Sequence, residues 1–364
     1  MTICLIGKNL TTLVLSKILI NKGINVDLYY SNNNISMNRS NTISRTIGLS
    51  NDSIEFLESH NILLKKNCWS IKNINLYKGE NSKSFLNFES KKNSFFMVSY
   101  NNFFRSLETA IKKKRLIKIK KKNDQKSFLN LLKKNYEIII ISDTNNFLFR
   151  KYFSKHIKKD YNSMAFTAMI DHDYVKNNTA EQYFTGVGPL AFLPMSNNKT
   201  SIVFSVFDRD LIKDNAKIVK LIKHYNRLYN IKKISELQKF PINLSLSRNY
   251  FYKNILSFGD ALHKIHPLAG QGFNMTLRDT KILSKLIQEN LDLGINLDTI
   301  LDKFEINRKN SNFVFAMGVD FVHEFFKFNN KYNMKSIDNL FKLINKNLYI
   351  KKKIENFANK GFII

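Results

Sequence analysis

The stretch from residue 259 to residue 274, GDALHKIHPLAGQGFN, constrains the fold more than any other part of this sequence. It follows an apolar run at residues 255–258 that predicts a short buried strand, and it leads into residues 275–279, which predict the opening of a helix. A strand that ends in Gly259 and Asp260 places a carboxylate at the carboxyl edge of a sheet, where open α/β sheets bind ligands. The later Gly-Gln-Gly brings bare backbone N–H groups to a helix N-terminus, which suits an electron-rich or anionic group.

The beginning of the chain has the pattern of a strand, a helix and a second strand. Residues 3–6 and 26–30 are the apolar strands, residues 10–21 carry apolar side chains at helical spacing, and Gly23 ends the helix. This order predicts the βαβ entry of a dinucleotide-binding fold.

The later elements change character along the chain. Residues 51–60 and 103–114 predict helices, and residues 136–141 form a continuous apolar strand that is typical of a parallel-sheet core. Between about residues 160 and 250, strand-like segments separated by turn residues predict an antiparallel sheet. After residue 278 the chain is predominantly helical.

Length and composition predict a globular protein of two modest domains. The chain has 364 residues, 43% of them hydrophobic, and no apolar run reaches the roughly 20 residues that a membrane-spanning helix needs. Residues 1–7 are too short an apolar run for a signal peptide. Cys4 and Cys68 predict neither a disulfide framework nor a metal cluster, so we expect a cytoplasmic protein.

The net charge of +29 raises the question of nucleic acid. Of the 58 basic residues only 10 are arginine, and the lysines are spread along the chain without clustered aromatic residues, so we expect no nucleic-acid partner. A run of lysines is usually a solvated face. The alternative is attraction to an anionic membrane surface, which would make the protein peripheral at the inner membrane. The apolar stripe at residues 336–344 usually packs on its own domain, but it also suits membrane contact or docking to a partner protein.

Three segments match a known family pattern, in the family's order and over nearly the whole chain. Residues 259–279 follow G-D-A-A-H-x-x-H-P-x-A-G-Q-G-x-N-x-G-x-R-D except at Leu262 and Thr276. Residues 188–195 (GPLAFLPM) match G-P-L-A-x-L-P-[LM], and residues 44–50 (SRTIGLS) are similar to G-R-A-I-A-L-S. The chain therefore resembles the FAD-dependent aromatic hydroxylases (class A flavoprotein monooxygenases). It is most similar to the ubiquinone-biosynthesis hydroxylases of the 2-polyprenylphenol and 2-polyprenyl-6-methoxyphenol hydroxylase type.

This resemblance implies an α/β fold in which a Rossmann-like FAD-binding domain carries an inserted antiparallel-sheet substrate domain and C-terminal helices. The expected boundaries are residues 1–66, 98–150 and 250–300 for the discontinuous FAD-binding domain, 67–97 and 151–249 for the substrate domain, and 301–364 for the C-terminal helical region.

The resemblance also implies an activity. Such an enzyme uses NAD(P)H to reduce FAD and inserts one oxygen of O₂ into the ring of a polyprenylated phenol in ubiquinone biosynthesis. The cofactor carries the difficult chemistry, and the protein positions the ring, stabilises developing negative charge and excludes water. The implied partners are the polyprenylphenol substrate, O₂ and other ubiquinone-biosynthesis proteins.

The family motifs imply site residues as well. Asp260 would accept hydrogen bonds from the ribityl or pyrophosphate region of FAD, Arg45 would lie near the flavin and its phosphates, and His266 is interpreted as a structural histidine. The residues implied at the reacting ring are Pro267, Gly270, Gln271 and Gly272. The implied cofactor-binding residues are Gly7, Asn9, Thr12, Arg45, Arg105, Asp143, Gly259, Asp260, Pro267, Gly270, Gln271, Gly272, Phe273 and Asn274.

The first dinucleotide fingerprint departs from the family. A G-x-G-x-x-G turn uses its glycines for a tight turn, close approach of the pyrophosphate and helix packing, and the corresponding residues here are Gly7, Asn9 and Thr12. We expect Asn9 to keep the turn by tolerating a left-handed backbone, although its side chain would crowd the pyrophosphate. Tyr30 stands where a carboxylate would hold the adenosine ribose, and Thr144 replaces a family glycine. These departures leave an alternative open: a degenerate, non-catalytic family member that scaffolds a quinone-biosynthesis complex.

Overall fold

The structure is a computed structural model that describes residues 1–31, 45–80, 83–89, 95–122, 124–267, 270–294, 296–332 and 347–361. The described strands are β1 (Thr2–Ile6), β2 (Asn25–Tyr30), β3 (Thr46–Ser50), β4 (Trp69–Ile71), β5 (Asn73–Lys78), β6 (Leu86–Glu89), β7 (Phe95–Ser99), β8 (Ile117–Lys121), β9 (Ile138–Ile141), β10 (His156–His172), β11 (Thr179–Thr185), β12 (Gly188–Ser196), β13 (Lys199–Val206), β14 (Ile231–Ile234), β15 (Gln238–Ser247), β16 (Phe251–Tyr252), β17 (Ile255–Ser257) and β18 (His263–Lys264). The described helices are α1 (Leu10–Asn21), α2 (Asn51–Ser59), α3 (Tyr100–Lys112), α4 (Gln125–Leu129), α5 (Phe147–Tyr152), α6 (Asn215–Tyr225), α7 (Gln271–Leu293), α8 (Leu297–Tyr332) and α9 (Leu348–Lys360), with short 3-10 turns at Lys65–Asn67, Leu211–Lys213 and Gly259–Ala261.

The first sheet is mainly parallel, in the order β8-β2-β1-β9-β17-β16. Only the edge pair β16–β17 is antiparallel, and Ile3 of β1 lies opposite Val26 of β2 and Ile138 of β9. The predicted βαβ entry is confirmed, and the apolar run at residues 136–141 forms the fully buried β9. Because β2 and β9 lie on opposite sides of β1, the carboxyl ends of β1 and β9 border a crevice, which is where such sheets bind ligands.

The second sheet is the antiparallel one expected between about residues 160 and 250. It has nine strands in the order β18-β15-β10-β13-β12-β11-β5-β6, with β14 also paired to β10, and β11 and β5 run parallel. Helix α6 packs on this sheet through Ile218, Ile222 and Tyr225. The domain boundaries stay a prediction, although β5 and β6 join this sheet from earlier in the chain.

A small antiparallel sheet, in the order β3-β7-β4, lies between the two larger ones. Thr46 of β3 and Ser201 of β13 join their hydroxyl groups at 2.8 Å. Apolar side chains of β4 and β7 pack with others from the second sheet, in a cluster that includes Trp69, Met97 and Leu193. The small sheet therefore links the layers on either side of it.

The C-terminal part of the described chain is helical, as expected. Helix α7 begins at Gln271, four residues before the stretch at 275–279 that predicted its opening, because Gly270 takes a left-handed backbone (φ 65°) as the residue before the helix. Helix α7 packs against α1, β3 and the 36-residue α8. None of the helices in the described part of the chain combines the length and apolar composition that crossing a membrane requires. The predicted stripe at residues 336–344 lies outside the described residues.

Candidate functional site

The segment of residues 259–274 follows a strand of the parallel sheet, adds a strand to the second sheet and ends in the first turn of α7. Strand β17 leaves the parallel sheet, the turn Gly259–Ala261 follows, and β18 pairs with β15 of the second sheet through His263 and Leu246. The chain then enters α7, whose first residues lie against β3 of the small sheet. The segment therefore lies where the three sheets meet.

The turn at Gly259 allows the close approach of α1. Gly259 has a φ of 63°, and a Cβ atom there would lie 2.9 Å from the side chain of Thr11. A larger residue would therefore push α1 away. Asp260 follows at the end of the strand with an exposed side chain, so its carboxylate lies at the carboxyl edge of the parallel sheet, as expected.

Within the part of the chain that the structure describes, no side chain caps the N-terminus of α7. Gly270 approaches β3 so closely that a Cβ atom there would lie 3.2 Å from the backbone nitrogen of Gly48, whereas a Cβ on Gly272 would meet nothing closer than Ile265 at 4.0 Å. Among the described residues, Oε1 of Gln271 is buried without a hydrogen-bond partner. This end of the site offers backbone donors, a positive helix end and an acceptor without a partner.

Asn274 ties the start of α7 to the small sheet. Its Oδ1 accepts a hydrogen bond from the Ser50 backbone N–H at 2.9 Å, and its Nδ2 donates to the carbonyls of Gly48 at 2.8 Å and Gly270 at 3.2 Å. Phe273 packs on the core of the parallel sheet. Asn274 therefore holds the turn in place, and the cofactor contacts of Phe273 and Asn274 stay predictions.

His266 is buried beside another histidine. Its ring stacks on that of His323 of α8 with centroids 4.1 Å apart, and Tyr161 of β10 meets it edge-on at 5.4 Å. Burial and the neighbouring His323 lower the pKa of His266 to about 3. A ring that stays neutral at neutral pH and packs against two others supports the interpretation of His266 as structural. Pro267 follows it, half-buried, and residues 268 and 269 lie outside the described part.

A buried charge network that sequence reasoning missed holds β18, α7 and α8 together. The Asp279 carboxylate is hydrogen-bonded to His263 Nε2 at 2.5 Å and accepts a hydrogen bond from Arg308 Nε at 2.6 Å. Asn312 Nδ2 donates to the same carboxylate at 3.0 Å. Burial alone would raise the pKa of Asp279, but Arg308 and His263 outweigh burial and lower the pKa to about 2. The motif at residues 259–279 contains His263 and Asp279, but no pattern in the sequence pairs them with Arg308.

The turn between β1 and α1 differs from what we expected. Gly7 has a φ of 111°, and a Cβ there would lie 2.8 Å from Ser142 Oγ. The expectation of a left-handed Asn9 is wrong: Asn9 is extended (φ −139°, ψ 176°) because it is the N-cap of α1. Its Oδ1 accepts from the Thr12 N–H at 3.1 Å, and Thr12 Oγ1 accepts from the Asn9 N–H at 3.2 Å.

Of the other predicted cofactor-binding residues, Asp143 lies next to this turn, whereas Arg45 and Arg105 are exposed. Asp143 is buried beside Gly7, and its Oδ1 accepts from the Asn145 N–H at 2.9 Å. Arg45 is exposed, with its guanidinium 4.4 Å from the centre of the Tyr100 ring. Arg105 is exposed on α3, and its contact with the cofactor stays a prediction.

Two further positions complete the adenosine end of the site. Tyr30, at the end of β2, lies under the Lys8 ammonium at 4.9 Å from its ring centre. Thr144 is exposed in the loop after β9. Tyr30 cannot accept hydrogen bonds from both ribose hydroxyls as a carboxylate would, and Thr144 has a side chain where the family has glycine.

The two ends of the site therefore differ in their fit to FAD. The turn from Asp260 to Gly272 offers an exposed carboxylate and open backbone donors, which suits the flavin and its ribityl chain. In the turn from Gly7 to Thr12, the side chains of Asn9 and Thr12 accept hydrogen bonds from backbone N–H groups that would otherwise bind a pyrophosphate. The flavin end fits, and the pyrophosphate end does not fit without rearrangement.

Comparison with known proteins agrees with this description. The squalene epoxidase family model matches residues 135–339, more than half of the chain. A mitochondrial ubiquinone biosynthesis monooxygenase of Dictyostelium discoideum is 25% identical over 186 residues, covering 41% of this chain and 38% of that protein. The 3-demethoxyubiquinol 3-hydroxylase of Escherichia coli K12 is 30% identical over 158 residues, covering 41% of this chain and 40% of that protein. The matches thus span less than half of these curated relatives.

Solved structures show the same fold. The p-nitrophenol 4-monooxygenase PnpA of Pseudomonas putida DLL-E4 superposes with a TM-score of 0.79 at 10% identity over 100% of both chains. HpxO of Klebsiella pneumoniae, solved with FAD and uric acid, has a TM-score of 0.72 at 12% identity over 99% of this chain and 97% of that one. The predicted fold class is confirmed, and so is the similarity to ubiquinone-biosynthesis hydroxylases. With more than half of its length matched by the family model, the chain belongs to the squalene epoxidase family.

Proposed function

We propose that this protein is an FAD-dependent aromatic hydroxylase that uses NAD(P)H and inserts one oxygen of O₂ into the ring of a polyprenylated phenol in ubiquinone biosynthesis. The observation that carries the proposal is the uncapped N-terminus of α7 at the junction of three sheets, next to the exposed carboxylate of Asp260. The relatives reported above are named as a monooxygenase and a hydroxylase, which favours an enzyme over a non-catalytic scaffold.

The residues of this turn have distinct roles in the proposal. Bound FAD would supply the transfer of electrons from NAD(P)H and the activation of O₂. Asp260 would accept hydrogen bonds from the ribityl hydroxyls, and the first backbone N–H groups of α7 would stabilise negative charge on the pyrimidine side of the ring. Gly270 and Gly272 would allow the backbone to approach the ring closely. Asn274 would keep these donors in position through its bonds to Gly48 and Gly270.

An apolar cluster beside this turn supports the substrate class. A Cβ atom on Gly48, which touches Gly270, would lie 3.6 Å from Met97 Sδ and 3.5 Å from the Phe95 ring. These side chains belong to a cluster shared by the small and second sheets: Trp69, Ile71, Ile74, Phe95, Met97, Ala180, Leu193 and Met195. Thioether and aromatic side chains adapt to apolar ligands, so a ring with a prenyl tail would pack against the half-buried members of this cluster.

The substitution Gly272→Ala tests the cofactor site. A Cβ atom at this position fits the cofactor-free protein, so we expect the melting temperature without FAD to change little. The same atom would project between α7 and the ring, so we expect FAD to bind about tenfold more weakly. Gly186→Ala is the matched control, because a Cβ there also meets nothing within 4 Å. Flavin fluorescence titration measures both affinities, and wild-type protein that shows no binding would refute the proposal.

Turnover tests the activity itself. The FAD-loaded protein should oxidise NAD(P)H faster in the presence of a short-chain prenylphenol, and ¹⁸O from ¹⁸O₂ should appear in the hydroxylated ring. It should also restore ring hydroxylation to a hydroxylase-deficient strain. A scaffold would bind partner proteins without incorporating the label, so FAD-loaded protein that leaves the ring unlabelled would favour the alternative.

We also propose peripheral contact with an anionic membrane, since the substrate would be carried in lipid. Helix α8 exposes Ile306 and Phe321, at 75% and 68% of their full exposure, together with Phe313, Val314 and Val322. An apolar helix face on a chain of net charge +29 suits the surface of an anionic bilayer. The same contact would bring the protein to the inner membrane and to other ubiquinone-biosynthesis proteins.

A further inference from the structure

The N-termini of α1 and α7 differ in how their first backbone N–H groups are satisfied. Among the described residues, Gly270 precedes α7 without a side-chain cap, whereas α1 begins with a reciprocal pair in which Asn9 and Thr12 satisfy each other's backbone N–H groups. Helix N-termini are favoured positions for phosphates because their first N–H groups have no partner within the helix. On α1, the side chains of Asn9 and Thr12 occupy the position that a phosphate would take.

Asn9 does more than cap the helix. Its Nδ2 donates to Ser142 Oγ at 2.9 Å, in the turn that follows β9. Asn9 follows β1 in the same way, so this hydrogen bond joins the carboxyl ends of β1 and β9 across the crevice between them. In open α/β sheets this crevice is the ligand position, and here an amide side chain bridges it.

A tyrosine lies beside the same helix end. Burial raises the pKa of Tyr100, and Arg45 and the backbone of Leu10 oppose the rise. The backbone N–H groups of Asn9 and Thr12 are both directed to side chains. A pyrophosphate would have to displace these partners to bind as it does at a glycine-rich turn.

We propose that Asn9 is an internal competitor for the cofactor pyrophosphate, closing the crevice between β1 and β9 in the cofactor-free protein and opening it when the dinucleotide binds. This inference rests on the proposed function. The Asn9 side chain then stabilises the cofactor-free protein, because a glycine at this position would leave backbone N–H groups without a partner. It also lowers the affinity for FAD, because the Asn9 hydrogen bonds to Thr12 and Ser142 must break before the pyrophosphate can bind.

The substitution Asn9→Gly tests the inference, with FAD, ADP and riboflavin as probes. Glycine adopts the extended backbone of Asn9 and keeps the N–H groups but removes the side chain. We expect FAD and ADP to bind about tenfold more tightly, since two hydrogen bonds no longer have to be broken. Riboflavin lacks the pyrophosphate, so its affinity should stay within about twofold of wild type. Calorimetric titration measures all three, and calorimetric scanning should show a small fall in the melting temperature of the cofactor-free variant.

Two further variants make the test specific. Asp214 caps α6 through the Lys217 N–H at 3.0 Å, so Asp214→Gly should lower the melting temperature similarly and leave FAD and ADP binding unchanged. Ser142→Ala removes the bridge across the crevice and keeps the pair of Asn9 and Thr12, so it should tighten ADP by about threefold. This variant decides the question if Asn9→Gly does not fold.

The outcomes separate this inference from the proposed function. If wild-type protein binds FAD and Asn9→Gly binds FAD and ADP no more tightly, the competition does not exist and only this inference fails. If neither wild type nor Asn9→Gly binds FAD or ADP, the inference and the cofactor assignment fail together. If ADP and FAD tighten while riboflavin does not, Asn9 acts at the pyrophosphate as proposed.

Discussion

Asp279 on α7 is fully buried and shares its two carboxylate oxygens between His263 of β18 and Arg308 of α8. Removing the Asp279 carboxylate leaves the buried Arg308 guanidinium without its charged partner. Breaking a buried ion pair in this way is strongly destabilising, even where the pair itself contributes little net stability. The network also fixes β18, and β18 lies between Asp260 and Pro267. At the scale of single residues, Asp279 therefore positions the candidate site without being part of it.

The substitution Asp279→Asn tests this role. At pH 7 we expect a loss of about 3–5 kcal/mol in the free energy of unfolding. The folded pKa of about 2 lies below the ordinary value of 3.8, so the wild-type contribution is complete above about pH 4 and is lost as the pH falls towards 2. Asp279→Asn should lose that dependence. Urea unfolding at pH 7, 4 and 3 measures it.

Asp210→Asn, which removes an exposed partner of Lys213, is the control and should cost much less. An equal loss of stability in both variants would contradict the role assigned to the buried network.

The loop that precedes α7 and the helix α8 meet at the stacked rings of His266 and His323. Burial lowers the pKa of both histidines, and His323 lowers that of His266 further, to about 3. Tyr161 faces both rings, and Asp320 accepts hydrogen bonds from Tyr161 and Lys159 at the edge of the cluster. At the scale of elements, the contact between this loop and α8 therefore depends on neutral histidines.

Mild acid should weaken this contact. Because the folded pKa of His266 lies below the ordinary value of 6.5, its contribution is complete above about pH 6.5 and falls as the pH drops towards 3. Between pH 6.5 and 5 we expect the free energy of unfolding to fall by about 2 kcal/mol. The variant His266→Phe keeps a ring on His323 and should show a smaller fall. Chemical unfolding at the two pH values measures the difference, and an unchanged slope in the variant would assign the effect elsewhere.

The whole molecule carries a net charge of +29, and its described ion pairs are mostly exposed. Such a charge attracts anionic surfaces over a distance set by the salt concentration, about 10 Å at 0.1 M. The apolar side chains of α8 would add a contribution that salt does not screen. Electrostatic and apolar attraction can therefore be separated by experiment.

Sedimentation with vesicles tests membrane contact at this scale. We expect binding to vesicles containing anionic lipid, weaker binding to neutral vesicles and partial release by salt. The double substitution Ile306→Ser and Phe321→Ser should weaken the binding that remains at high salt. Tyr174→Ser, which removes another strongly exposed apolar side chain away from α8, is the control. Equal binding by all variants would exclude α8 as the contact.

The sequence alone determined the central elements of the parallel sheet, whereas the flavin end of the site stays a prediction from the motif at residues 259–274. The strands β1, β2 and β9 and the helices α1, α2 and α3 follow from spacing of apolar residues over a few turns, which is a local property. The start of α7 shows the limit of spacing, because the helix begins at Gln271, ahead of the periodic apolar residues. Gly270 decides this through its left-handed backbone and its approach to Gly48.

Only the tertiary structure decided which contacts the residues of these turns make. Asn9 and Ser142 are 133 residues apart, and His263, Asp279 and Arg308 come from three elements. No local pattern encodes such contacts, because they depend on which surfaces the packing of sheets and helices brings together. The sequence therefore predicted a dinucleotide-binding turn after β1, whereas the structure shows that the Asn9 side chain bridges from this turn to Ser142.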